Sequence, residues 1–186
     1  MTPSDGSTAA AGLNHVFTDG SCTVDNTTGV ATAAWGTVNA TTGMPLMAAP
    51  LHGVSQTIGR AELWAVVMAI RWAVHQQCHI HIWTDNQAVA RRVSGLLHRT
   101  DGAAATAKTN HDMWDAAAQW ISQTTTGQVV ISWVPSHMEE QLCEDSEAEW
   151  IARWNGQADS LAGDANAQRG PVFDRLMASQ RAHHHY

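Results

Sequence analysis

The sequence predicts a single α/β domain built on a mixed five-stranded sheet with helices on both faces. Three strand-like segments come first, and their short connections are typical of an antiparallel meander. Helical and strand-like segments alternate after them, which favours parallel crossover connections. The 186 residues, 44% of them hydrophobic, are enough to bury a substantial core.

The meander is predicted from three apolar segments, at residues 14–21, 30–38 and 44–54. In the first segment, Val16 and Phe17 are good strand formers, and the flexible, polar pair Gly20-Ser21 that follows them indicates that the strand ends there. We therefore expect the first strand to present Asp19 at its end.

Four helices and two further strands are predicted after the meander. They lie at residues 56–75 (helix), 80–84 (strand), from 86 (helix), from 109 (helix), 129–134 (strand) and from 146 (helix). In the first of these helices, Leu63, Val66 and Ile70 recur at helical spacing on one face. Thr109 and Ser146 each open a capping box, which favours a helix start there, although the box at Thr109 has Asp in place of Glu.

Two tails are expected to flank the domain. Small and polar residues dominate the beginning of the chain, and beyond residue 169 it continues with Gly-Pro and then polar residues. We therefore predict a flexible N-terminal tail at 1–13, the domain at 14–169 and a flexible C-terminal tail at 170–186.

The sequence also indicates a compartment. The N-terminus lacks the features of a signal peptide, and no apolar run approaches the length of a membrane span. Cys22, Cys78 and Cys143 are odd in number and widely spaced, so they indicate neither a disulfide framework nor a zinc site. We expect an intracellular protein, cytoplasmic or nuclear, with no membrane partner.

Four acidic residues lie in marked settings: Asp19 on the first strand, Glu62 in the first helix, Asp85 after the fourth strand and Asp159 in the last helix. Taken singly, each is more often a helix cap or a solvated surface residue. If they converge, their carboxylates would repel one another unless divalent metal bound them, as in a two-metal phosphoryl-transfer site. Because hard oxygen ligands without a thiolate suit magnesium, we expect two Mg²⁺ ions, with Mn²⁺ as a substitute.

From about residue 14 to residue 168 the chain resembles a type 1 ribonuclease H, of the cellular or the reverse-transcriptase kind. The resemblance is carried by ordered motifs: TDGS at 18–21, RAEL at 60–63, WTDNQ at 83–87, SH at 136–137 and NGQADSLA at 155–162. It implies the ribonuclease H-like fold and makes Asp19, Glu62, Asp85 and Asp159 the metal-binding catalytic carboxylates. It also implies that His137 is the mobile-loop histidine that assists proton transfer or product release.

Candidate substrate-binding residues come from the same resemblance. Thr57 and Gln87 resemble positions that contact a DNA phosphate and the minor groove of the hybrid, although Thr57 is equally well placed to cap a helix. Asn155 lies one helical turn before Asp159, so it either orients the site or is simply a polar residue beside the cleft.

Charge weakens the prediction of a nucleic-acid partner without excluding it, since the formal net charge is −7. Four of the ten basic residues nevertheless fall between Asn86 and Asn110, and only Asp101 opposes them: Arg91, Arg92, Arg99 and Lys108. We predict that Arg91 and Arg92 bind substrate, the alternative being an ordinary solvated helix face.

The function implied is endonucleolytic hydrolysis of the RNA strand of RNA–DNA hybrids, leaving 5′-phosphate and 3′-hydroxyl ends. One alternative is a catalytically silent domain that supports a reverse transcriptase or binds nucleic acid, and another is a different nuclease or a transposase of the same superfamily. The expected partner is the hybrid, and the chain is expected to act as a monomer or as part of a larger reverse-transcriptase polyprotein.

Overall fold

The computed structural model describes residues 12–98, 109–136 and 146–169, together with residues 173, 175, 178, 179 and 182. Most residues of the two predicted tails lie outside these ranges. The strands are β1 (Asn14–Val24), β2 (Ala31–Asn39), β3 (Met44–Pro50), β4 (Ile80–Thr84) and β5 (Val129–Trp133). The helices are α1 (Ile58–Gln76), α2 (Gln87–Leu97), α3 (His111–Ile121) and α4 (Ser146–Ala167).

The strands form one mixed sheet in the order β3-β2-β1-β4-β5. The meander β1-β2-β3 is antiparallel, whereas β4 pairs parallel with β1 and β5 pairs parallel with β4. The turn between β2 and β3 contains Gly43 at a φ of 73°, a left-handed conformation that favours glycine. The predicted mixed five-stranded sheet is therefore confirmed.

Helices cover both faces of the sheet, as predicted. On β1, Val16 is packed in a core cluster with residues of α1 and α3, whereas the next residue, Phe17, is packed with Trp154 and Ala158 of α4. Neighbouring strand residues point to opposite faces, so β1 separates two apolar layers. No helix in the described ranges is both long and apolar enough to cross a membrane.

Helix α1 has the predicted buried face. Leu63, Val66 and Ile70 are buried, as their helical spacing requires. The helix begins after Thr57, whose hydroxyl accepts a hydrogen bond from the backbone N–H of Arg60 at 3.3 Å. Thr57 is therefore a helix N-cap, the second of the two roles that its position allowed.

The predicted end of β1 is wrong. The strand does not stop at Gly20-Ser21 but continues to Val24, because its antiparallel pairing with β2 runs on through Gly20↔Trp35 to Val24↔Ala31. Asp19 consequently lies inside a strand. What ends near Asp19 is the parallel pairing, whose last pair is Thr18↔Thr84. β3 also stops earlier than predicted, at Pro50.

The predicted capping box at Thr109 is also wrong. Helix α3 is preceded by Asn110, which has a φ of 59° and makes no side-chain cap. Its Oδ1 atom instead accepts a hydrogen bond from Nη1 of Arg60 at 3.3 Å, and the Asp112 carboxylate is paired with the same guanidinium. A tertiary contact with α1 thus replaces the local cap. The Ser146 side chain lies outside the described part of the chain.

Candidate active site

Three carboxylates from three different elements meet at one point. Asp19 of β1, Glu62 of α1 and Asp85, which follows β4, each offer an oxygen, and these atoms lie within 4.8 Å of one another. Two of them are neighbours because Thr18↔Thr84 is the last parallel pair, so that Asp19 comes next in β1 and Asp85 comes directly after the end of β4. Glu62 is added from the helix that packs on β1.

Asp159 lies outside this group of three but acts on it. The residue is exposed on α4, and its charge adds to the burial and the Asp85 charge that raise the pKa of Asp19. Helix α4 comes close at this point because Gly36, the β2 partner of Asp19, has no side chain. A Cβ atom built on Gly36 would lie 2.9 Å from the backbone nitrogen of Ala162.

The site is electrostatically strained without a counter-ion. Asp19 is only 6% exposed. Burial, together with the charges of Asp85, Asp159 and Glu62, raises the pKa of Asp19 to about 8, although the backbone N–H of Gly20 donates to Oδ1 at 2.6 Å and opposes the rise. Burial and then Asp85 also raise the pKa of Glu62, while a hydrogen bond from Asn86 lowers it.

These residues fit a divalent cation. All three converging groups supply hard carboxylate oxygens, the ligands that magnesium prefers. Burial and then the neighbouring carboxylates raise the pKa of Asp19, and a bound positive charge would oppose both effects, so a cation and a proton compete for the same carboxylate. The described residues could therefore hold such an ion.

A groove of about 700 Å³ lies beside Glu62, because Asn86, the hydrogen-bond donor to its carboxylate, is part of the lining. Gln87, Arg91 and Arg92 line it, together with Asn86 and Trp114. The Arg92 guanidinium lies 4.5 Å from the centre of the Trp114 ring, which holds it against the wall, whereas Arg91 is exposed. Three of the predicted substrate-binding residues thus share one surface. Arg99 and Lys108 lie outside the described residues.

The other predicted site residues are placed differently. Asn155 is buried at 8% exposure, and its Oδ1 atom has no hydrogen-bond partner in the described chain. Whether Asn155 orients the site or is simply a polar residue beside the cleft stays a prediction. His137 lies outside the described residues.

Asn86 is the residue whose role the sequence reasoning missed. The sequence marked it only as the start of a helix, whereas its side-chain amide also donates a hydrogen bond to Oε2 of Glu62. The available signal was its position, since a cap residue directly after a candidate metal ligand must lie beside the metal site.

Comparison with known proteins agrees with this geometry. The sequence model of the RNase H family matches residues 13–167. The PFV RNase H domain has a TM-score of 0.65 at 20% identity, covering 83% of this chain and 94% of that domain. LC11-RNase H1, isolated from compost by a metagenomic approach, has a TM-score of 0.55 at 17% identity, covering 84% of this chain and 96% of its own.

A larger protein shares the same fold over part of its length. The prototype foamy virus protease-reverse transcriptase has a TM-score of 0.65 at 23% identity over 84% of this chain. This chain spans about a fifth of that protein, 21% of its length. A comparison with curated protein sequences found no match. Since the family match spans residues 13–167, most of the chain, and the solved structures share its fold, this protein belongs to the RNase H family.

Proposed function

We propose that this protein is a metal-dependent endonuclease that hydrolyses the RNA strand of RNA–DNA hybrids and leaves 5′-phosphate and 3′-hydroxyl ends. The observation that carries the proposal is the convergence of Asp19, Glu62 and Asp85 within 4.8 Å in a chain of the RNase H family. Three buried or half-buried acids brought together from separate elements are costly to the fold, and a cation-dependent reaction explains their presence.

In this proposal Asp19, Glu62, Asp85 and Asp159 hold two Mg²⁺ ions. When bound, the ions supply an activated water and stabilise the departing 3′ oxygen of the cleaved phosphodiester. The burial of Asp19 keeps water away from its carboxylate, which strengthens its attraction for a cation. His137 would assist proton transfer, for which an imidazole is suited near neutral pH.

The groove residues bind and orient the substrate. Gln87 and Arg91 are exposed on the groove wall, and Arg92 is held there against Trp114. A guanidinium pairs well with phosphate oxygens, so these arginines hold the nucleic-acid backbone beside the carboxylates. Thr57 caps α1 through its hydroxyl, and because the residue is exposed the same hydroxyl is accessible to a phosphate.

The substrate class is supported by the relatives. LC11-RNase H1 and the foamy viral protease-reverse transcriptase have each been solved with an RNA/DNA hybrid, at 16% and 18% identity to this chain. Recognition of 2′-hydroxyl groups across a wide minor groove distinguishes an RNA strand from a DNA strand. The domain at 14–169 would act as a monomer or within a larger reverse transcriptase.

A cleavage assay tests the proposal directly. The 186-residue chain is incubated with magnesium and either a hybrid with an end-labelled RNA strand or a DNA duplex of the same sequence. We expect internal cuts in the RNA strand, an intact DNA duplex, and no cutting by an Asp85→Asn variant prepared in parallel. Hybrid binding without cleavage would favour the silent domain, and comparable cutting of the DNA duplex would favour another nuclease of the superfamily.

A further inference from the structure

Asn86 is held by hydrogen bonds at four points. Its backbone N–H donates to Oγ1 of Thr84 at 3.3 Å, and its backbone carbonyl accepts from the N–H of Ala90 at 2.9 Å. In its side chain, Oδ1 accepts from the backbone N–H of Val89 at 2.9 Å and Nδ2 donates to Oε2 of Glu62. The residue therefore joins the end of β4, the start of α2 and the carboxylate of α1.

The helix cap fixes which way the amide faces. The N–H of Val89 requires an acceptor, so the carbonyl end of the amide must point into α2. The NH₂ end is then directed at Glu62. The Asn86 amide therefore presents its NH₂ group to the Glu62 carboxylate, and exchanging its oxygen and nitrogen positions would break the helix cap.

Glu62 needs such support more than the other two acids do. Asp19 and Asp85 have short side chains and extend from adjacent strands, whereas Glu62 reaches the site from a different layer on a longer and more flexible side chain. A carboxylate has two oxygens, so a bond from one of them to Asn86 orients the group while the other remains able to bind a cation.

We propose that Asn86 is a positioning residue that, while capping α2, holds the Glu62 carboxylate in the orientation that binds a divalent cation. The inference rests on the proposed function of the site, and it concerns how this chain builds that site. The hydrogen bond from Asn86 also connects Glu62 to the helix that carries Gln87, Arg91 and Arg92 on the groove wall.

Two substitutions of Asn86 separate its role as the cap of α2 from its role in positioning Glu62. Asn86→Ser keeps a good cap residue but ends one bond short of the amide nitrogen, so it loses the direct contact with Glu62. Asn86→Ala loses both. Magnesium affinity is measured by calorimetric titration without substrate, thermal unfolding is followed with and without EDTA, and kcat and KM for the hybrid are measured over a range of magnesium concentrations.

We expect both variants to bind magnesium at least ten-fold more weakly than the wild type, the usual scale for the loss of a residue that supports a metal ligand. In EDTA the Asn86→Ser variant should unfold near the wild-type temperature, and only Asn86→Ala should unfold clearly below it. In Asn86→Ser, added magnesium should restore most of kcat with KM for the hybrid little changed.

The competing outcomes are distinct. Magnesium affinity in Asn86→Ser within two-fold of the wild type would overturn the positioning role, whatever happens to stability. Weaker magnesium binding in both variants, with a wild type that cuts no hybrid, would keep the positioning role and overturn the proposed function. A wild-type protein that binds no magnesium would overturn both.

Discussion

The backbone of Gly20 lies directly against that of Glu62. A Cβ atom built on Gly20 would lie 2.6 Å from the backbone nitrogen of Glu62 and 2.9 Å from its Cγ atom. Gly20, which follows Asp19 in sequence, therefore sets how closely Glu62 can approach. Gly20 lies inside β1 and keeps the strand conformation, so glycine is not needed there for a turn. It is needed because a side chain would prevent the close packing of β1 on α1.

Replacing Gly20 with alanine should therefore damage both stability and the site. A backbone atom at 2.6 Å cannot move aside cheaply, so Gly20→Ala should lower the free energy of unfolding by about 1–3 kcal/mol and weaken magnesium binding. Urea unfolding in EDTA measures the first effect. As a control, Gly163→Ala meets no atom within 4 Å inside α4 and should stabilise the helix by about 0.5–1 kcal/mol. Wild-type stability in Gly20→Ala would contradict the close packing.

The stability of the metal-free protein should fall as the pH rises toward 8. The pKa of Asp19 is raised to about 8, so the native state holds a proton there that the unfolded chain releases near pH 4. The associated stability is complete below about pH 4 and is lost as the pH rises through about 8. Asp19→Asn should abolish cleavage and flatten this dependence, with a melting temperature in EDTA at pH 8 equal to or above that of the wild type.

The matched control for that experiment is Asp164→Asn, which changes an exposed aspartate of α4. It should leave both cleavage and the pH dependence of the melting temperature as in the wild type. Magnesium should stabilise the wild type and Asp164→Asn alike, and Asp19→Asn much less. Equal stabilisation of all three proteins by magnesium would remove Asp19 from the site.

His137 is expected to act on protons and not on the metal. His137→Ala should slow turnover by on the order of 10²-fold, the usual scale for one proton-transfer group. Magnesium affinity, measured by titration without substrate, should stay nearly unchanged. A loss of activity as severe as that of Asp19→Asn, together with weaker magnesium binding, would place His137 among the ligands instead.

The groove arginines should control substrate binding through charge. The double substitution of Arg91→Ala and Arg92→Ala should raise KM for the hybrid and leave kcat nearly unchanged. The slope of log affinity against log salt concentration should become shallower by about one unit for each lost phosphate contact. The control replaces two exposed arginines that lie over tryptophan rings, as Arg92 does, but do not line the groove: Arg71 and Arg153. An unchanged salt slope in the groove variant, or an equal change in the control, would place the hybrid elsewhere.

The sequence by itself determined the order of the elements, and it singled out the three acids that the structure brings together, Asp19, Glu62 and Asp85. Apolar spacing in α1 and strand-forming residues around Val16 are local patterns, and local patterns decide which segments become helix or strand. Asp85 followed a recognisable strand, so its position at the end of β4 could be predicted without any knowledge of the neighbouring strands.

Only the tertiary structure decided how these parts meet. Gly20 was expected to stop β1, but pairing with β2 carries the strand past it, and the same glycine allows Glu62 to approach. In place of the cap predicted at Thr109, the structure has a hydrogen bond between Asn110 and Arg60, which are fifty residues apart in sequence. Such contacts depend on strand pairing and side-chain packing between distant segments, which no local pattern encodes. The same reason explains why Asn86 was found beside Glu62 only once α1 and β4 had been placed together.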